Sequence, residues 1–123
     1  MLEMHIEVED VERSFELYSK LLPHETVNWW EERDAVALVL EDGSAFGIWK
    51  KGKIGIHSGR AGEHLHFAFQ IEPSEYDQYK AKIEEVGLTP LEHTWRCGEK
   101  SVYFIDYDGN QGEFMTTNWF SEL

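Results

Sequence analysis

Residues 101–114 read SVYFIDYDGNQGEF. Two runs rich in β-branched and aromatic residues, Ser101 to Asp106 and Gln111 to Thr117, flank Asp108-Gly109, a dipeptide that favours a β-hairpin turn. An offset of 66 carries the same design from Asp42-Gly43 to Asp108-Gly109 and from Val36 to Val102. There the flanking runs are Ala35 to Leu40 and Ala45 to Lys50. Two hairpins of one type raise the question of whether the chain before them is also repeated.

It is. Met4, Ile6 and Val8 alternate with Glu3, His5, Glu7 and Glu9, the period of a half-buried strand. Asp10 then caps a helix on which Val11, Phe15, Tyr18 and Leu22 recur at helical spacing until Pro23. Thr26 to Trp30 reads as a short strand. In the second half, EHLHFAFQIE (63–72) gives a strand from His64 to Ile71. Its alternation sets His64 and His66 on one face and Leu65, Phe67 and Phe69 on the other. Ser74 with Asp77 resembles a capping box, and Tyr76, Tyr79, Ile83 and Val86 line a helical face that ends at Gly87. Pro90 precedes a strand from Leu91 to Trp95.

The chain is therefore βαβββ written twice, module one over about residues 1–60 and module two over about 61–123, in a single domain. An offset of 61 in the early strands maps His5 onto His66, Glu3 onto His64 and Tyr18 onto Tyr79. The glycine- and lysine-rich KKGKIGIHSGRAG (50–62) is the linker. One such module cannot cover both faces of its sheet alone. The expected fold is α+β: one open, barrel-like mixed sheet of eight strands, helices near 11–22 and 74–86 on its convex side, and a cleft inside.

Composition narrows the function. Eleven Lys and Arg stand against 24 Asp and Glu, a net charge of −13, which repels phosphate backbones and anionic membranes. No nucleic-acid or membrane partner is expected. A lone cysteine, Cys97, forms no intrachain disulfide and fits a reducing compartment. The first ten residues alternate and carry charge, unlike a signal peptide, and the longest apolar run, Ala35 to Leu40, is far below the ~20 residues that span a bilayer. A cytoplasmic protein is expected. No phosphate-binding glycine loop or G-x-S-x-G nucleophile motif is present.

Three stretches, DVERSFELYSKLL (10–22), HFAFQI (66–71) and above all SVYFIDYDGNQGEF (101–114), together with the repeat, resemble the vicinal oxygen chelate superfamily. That superfamily groups glyoxalases, extradiol dioxygenases, fosfomycin-modifying thiol transferases and bleomycin resistance proteins. Its metal-dependent members take one ligand from the first strand, one from the strand opening module two, and a carboxylate from the last strand. The resemblance implies His66 and Glu113 for the second and third positions. For the first, the spacing to Asp10 points to Glu3, whereas the offset of 61 points to His5. The fourth ligand used by glyoxalases maps onto Gly47 and is absent. Two nitrogens and a carboxylate hold a divalent ion such as Mn, Fe, Co, Ni or Zn facially and leave positions open for substrate oxygens.

The resemblance further implies that Ser101 and Tyr103 face the substrate, with Tyr103 orienting or polarising it; Trp95 and Arg96 are further candidate contacts. A first-strand carboxylate not holding the ion, Glu3 or Glu7, is the candidate general base. The favoured function is a metal-dependent lyase, isomerase, thiol transferase or dioxygenase acting on a small oxygenated molecule. The alternative is a metal-free dimeric protein that sequesters a cationic, aromatic drug of bleomycin type, for which five tryptophans and the −13 charge speak. Exposed sheet edges predict a homodimer.

Overall fold

The two Asp-Gly hairpins form as the sequence dictates, with one detail that the dipeptide alone does not specify. In the computed structural model, which describes residues 2–30, 32–52 and 66–116, Gly43 and Gly109 adopt left-handed φ of 85° and 87°. Asp42 and Asp108 keep negative φ, since Arg33 is the only non-glycine residue with positive φ among those described. Gly43 N–H donates to Leu40 O and Leu40 N–H to Ser44 O. The second turn repeats this with Gly109, Asp106 and Asn110. Each loop is thus a turn closed by a left-handed glycine, which only a residue without Cβ enters at no steric cost.

The chain divides into two compact units, Met1–Ala61 and Gly62–Leu123. The first contains β1 (Glu3–Val8), α1 (Val11–Leu21), β2 (His24–Trp29), β3 (Ala35–Leu40) and β4 (Ala45–Lys50). Its sheet runs β1-β4-β3-β2, with β1 parallel to β4 and the other pairs antiparallel. Asp10 caps α1 by accepting from Arg13 N–H at 3.0 Å. Leu17, Tyr18 and Leu21 of α1 are buried with Val36, Leu38, Phe46 and Ile48 of the sheet. The Tyr18 and Phe46 rings sit 4.8 Å apart. Each such side chain removed from water contributes roughly 1.5–3 kcal/mol.

The second unit repeats the plan: β5 (His66–Gln70), α2 (Tyr76–Glu85), β6 (Leu91–Thr94), β7 (Lys100–Ile105) and β8 (Gln111–Met115), in sheet order β5-β8-β7-β6. Tyr79 and Ile83 of α2 are buried with Val102, Phe104 and Phe114. The Tyr79 and Phe114 rings lie 4.6 Å apart. The α+β, two-module βαβββ architecture is as expected. Among the described residues, the strands hydrogen-bond as two ladders of four, one in each unit.

The capping box sits elsewhere. Glu72 and Glu75 form it around a single 3-10 turn, Pro73–Glu75, that precedes α2, and not Ser74 with Asp77. Proline at the first position of that turn fixes φ and starts the turn earlier than the hydrophobic period indicates. His57, His64, Leu65, Thr117 and residues 53–62 of the expected linker lie outside the described residues. Among the described residues, no helix is long and apolar enough to cross a membrane.

Candidate functional site

Pairing registers decide which side chains share a face. In the second unit, His66 pairs with Gln111 and Ala68 with Glu113, while Tyr103 pairs with Glu113, Ile105 with Gln111 and Leu91 with Tyr103. Paired residues point the same way, so His66, Glu113, Tyr103, Ile105 and Leu91 all project from the face opposite α2. Together with Trp95 and Gln111 they line a cavity of about 450 Å³.

Polar and apolar residues divide this cavity. Glu113 is only 3% exposed. Its Oε1 lies 3.3 Å from His66 Nε2, and its Oε2 is buried without a hydrogen-bond partner. The Tyr103 phenol is pushed up to about 12, first by burial, then by the Glu113 charge and by a hydrogen bond to that carboxylate. The phenol therefore holds its proton at neutral pH and serves as a donor. The His66 and Tyr103 rings meet edge to face at 6.2 Å. Leu91, Trp95 and Ile105 form the apolar wall.

Two expected substrate contacts stand differently from His66, Glu113 and Tyr103. Ser101 is fully buried, and its hydroxyl accepts from Trp95 Nε1 at 2.9 Å. It fixes the wall tryptophan rather than presenting its hydroxyl to the cavity. Arg96 is exposed on the turn after β6 and is not a lining residue. Leu91, Ile105 and Gln111 line the cavity but were not singled out in the sequence. Alternation from Tyr103 and Glu113 already places Ile105 and Gln111 on that face, so the signal was present.

In the first unit the face opposite α1 carries Glu3, His5 and Glu7. His5 pairs with Gly47, and its imidazole lies over that glycine: a Cβ at position 47 would stand 2.0 Å from Nδ1. Beyond Gly47, Trp49 Nε1 donates to His5 Nδ1 at 2.8 Å. An indole N–H only donates, so Nδ1 must accept, and neutral His5 carries its proton on Nε2. That nitrogen faces Glu3 Oε2 at 3.4 Å. Both ring nitrogens are engaged, while Glu3 is exposed. Glu7 is half-buried and Oε1 accepts from Gly52 N–H at 3.3 Å.

The ladders also correct the repeat. Advancing β4 by 66 residues places Ala45 on Gln111 and Gly47 on Glu113, and their partners are then Glu3 on His66 and His5 on Ala68. The equivalent of His66 in module one is Glu3, not His5. The offset of 61 matched two histidines by identity, whereas backbone pairing matches them two residues apart.

A buried carboxylate oxygen without a partner beside an imidazole nitrogen is a suitable pair for a divalent ion. Among the described residues no group of three His, Cys, Asp or Glu side chains is gathered.

No protein-family model matches the chain. Many solved structures share its fold. The fosfomycin resistance protein FosX from Mesorhizobium loti is 20% identical, with 99% of this chain and 95% of that one covered and a TM-score of 0.72. A mutant of FosX from Listeria monocytogenes, complexed with Mn(II) and 1S,2S-dihydroxypropylphosphonic acid, is 20% identical, covering 96% and 90%, with a TM-score of 0.76. Lactoylglutathione lyase from Agrobacterium tumefaciens is 18% identical, covering 98% and 95%, with a TM-score of 0.75. These are similarities of fold.

Proposed function

We propose that this chain, which has the vicinal oxygen chelate fold, is a divalent-metal-dependent enzyme acting on a small oxygenated molecule, as a lyase, isomerase, thiol transferase or dioxygenase. The observation that carries the proposal is the Glu113 carboxylate, 97% removed from solvent with one oxygen unpartnered beside His66. A fold has no use for such an oxygen, because an unsatisfied buried acceptor costs about 1–3 kcal/mol. A bound cation would satisfy it. The Mn(II) in a structural neighbour supports the same reading.

His66 and Glu113 are the proposed donors in module two, and Glu3 holds the position equivalent to His66 in module one. The register gives that position to Glu3 rather than His5, both of whose ring nitrogens are engaged. A bound Mn, Fe, Co, Ni or Zn ion would supply Lewis acidity toward a substrate oxygen. Tyr103, held protonated, orients the substrate by turning its one O–H from Glu113 to a substrate oxygen.

Metal analysis of protein purified without chelator or His-tag is the direct test, followed by calorimetric titration with Mn, Ni and Zn. His66→Ala and Glu113→Ala should each abolish stoichiometric binding. Unchanged affinity in both would overturn the proposal. The case would then pass to the metal-free binding protein for a cationic aromatic molecule, which the exposed Trp30, 5.1 Å from Trp49, favours. A homodimer is proposed for either function, and light scattering reads it.

A further inference from the structure

The apolar wall of the cavity is built more rigidly than a patch of incidental surface. Trp95 is tied through its indole N–H to Ser101, through its backbone N–H to Glu99 O, and through its carbonyl to Gly98 N–H. His93 packs against its ring, edge to face, at 4.4 Å. Beside it stand Leu91 and Ile105, 49% and 42% exposed, two of the largest apolar side chains left open to solvent among the described residues. At the other end lies Glu113 with its unpartnered oxygen. A cavity of about 450 Å³ falls in the range of small-molecule sites.

Among the described residues of this unit, the cations nearest the wall, Lys100 and Arg96, do not line it. Lys100 alternates to the opposite face of β7, where its ammonium lies 5.6 Å from the Tyr76 ring centroid. Arg96 is exposed on the turn. Among the described lining residues none is Lys or Arg. A charge at the end of a ligand away from Glu113 would leave water for leucine, isoleucine and an indole face, and no described lining residue carries a cation to pair it.

We infer that the cavity selects a ligand whose body is an uncharged apolar ring lying on Leu91, Trp95 and Ile105, with an oxygen turned toward His66 and Glu113. This deepens the proposed function, because it rests on His66 and Glu113 being the reactive end. The selection is built into the wall: a flat ring matches an indole held in one orientation, and a phosphate or carboxylate on the ring's far side is rejected.

Three probes with one common oxygen test it: benzyl alcohol, 4-methylbenzyl alcohol and 4-(hydroxymethyl)benzoate. The readout is the Trp95 indole N–H resonance in a 1H–15N spectrum, assigned with Trp95→Phe, with chelator and with Zn. Benzyl alcohol should shift it with the millimolar affinity of a fragment this small. The methyl compound should bind equally or more tightly, and the carboxylate at least about ten-fold more weakly, since its charge finds no partner. Leu91→Lys, at an exposed position, should bring the carboxylate probe to within a few-fold of benzyl alcohol. Equal binding of carboxylate and methyl probes to the wild type would overturn the inference. So would an indole resonance that no probe shifts, or one that shifts with protein concentration alone, which would mean a second copy covers the wall. Loss of Zn uptake in His66→Ala with benzyl alcohol still bound supports both readings. If the wild type takes up no Zn but the probes keep their order, the metal fails and the wall stands.

Discussion

Glu113→Met should stabilise the metal-free protein. Glu113 is 3% exposed, its Oε2 has no partner, and its Oε1 is 3.3 Å from His66 Nε2. Leaving a buried acceptor unsatisfied costs about 1–3 kcal/mol, and more when it is charged. Methionine has similar length, fills the same volume and needs no partner. Against this gain, His66 and Tyr103 lose an acceptor. The His66 side chain is 33% exposed and Tyr103 is only partly buried, so water replaces the carboxylate for about 1 kcal/mol or less. The net expectation in chelator is a gain of about 1–2 kcal/mol, or roughly 3–10 °C in melting temperature for a domain of this size. Saturating metal should reverse the order: at a hundred times Kd the wild type gains about 2.7 kcal/mol by linkage and the variant gains nothing. Urea and thermal denaturation, each with chelator and with Zn, read both arms. A loss of more than about 1 kcal/mol in chelator would show instead that the carboxylate is a structural partner rather than an unfilled ligand.

Gly47→Ala places a Cβ where the His5 imidazole lies, 2.0 Å from Nδ1 and 2.6 Å from Cε1. The ring must swing out and Trp49 loses its acceptor, for about 1–2 kcal/mol in urea denaturation. Combined with Trp49→Phe the losses should be clearly less than additive, since both break the same contact. Tyr103 should ionise near pH 12 rather than 10 when followed by phenolate absorbance, and Glu113→Gln should lower it only in part, since burial, the largest cause, remains. Its folded pKa lies above the unfolded one, so its contribution to stability is full below pH 10 and is lost as pH rises to about 12.

Local sequence signals were enough to place the elements and their faces. Hydrophobic alternation located the strands, Asp10 and Pro23 bounded α1, and Asp-Gly placed both hairpins, because these signals are local and act through backbone geometry. Alternation also put His66, Tyr103 and Glu113 on the face away from the helix. It could not choose between Glu3 and His5. A slip of two residues leaves every side chain on its original face, so a period of two is blind to it. That choice belongs to the parallel pairing of β1 with β4, which joins residues about 42 apart in sequence and is fixed only when the module packs. The same holds for the polar contacts. Nothing local in the chain says that the His5 ring will lie over Gly47 onto Trp49, or that the Ser101 hydroxyl will turn to Trp95. Nor does it say that Glu113 will be buried with one oxygen unsatisfied. Those are decided by which neighbours packing brings within hydrogen-bond reach of one another.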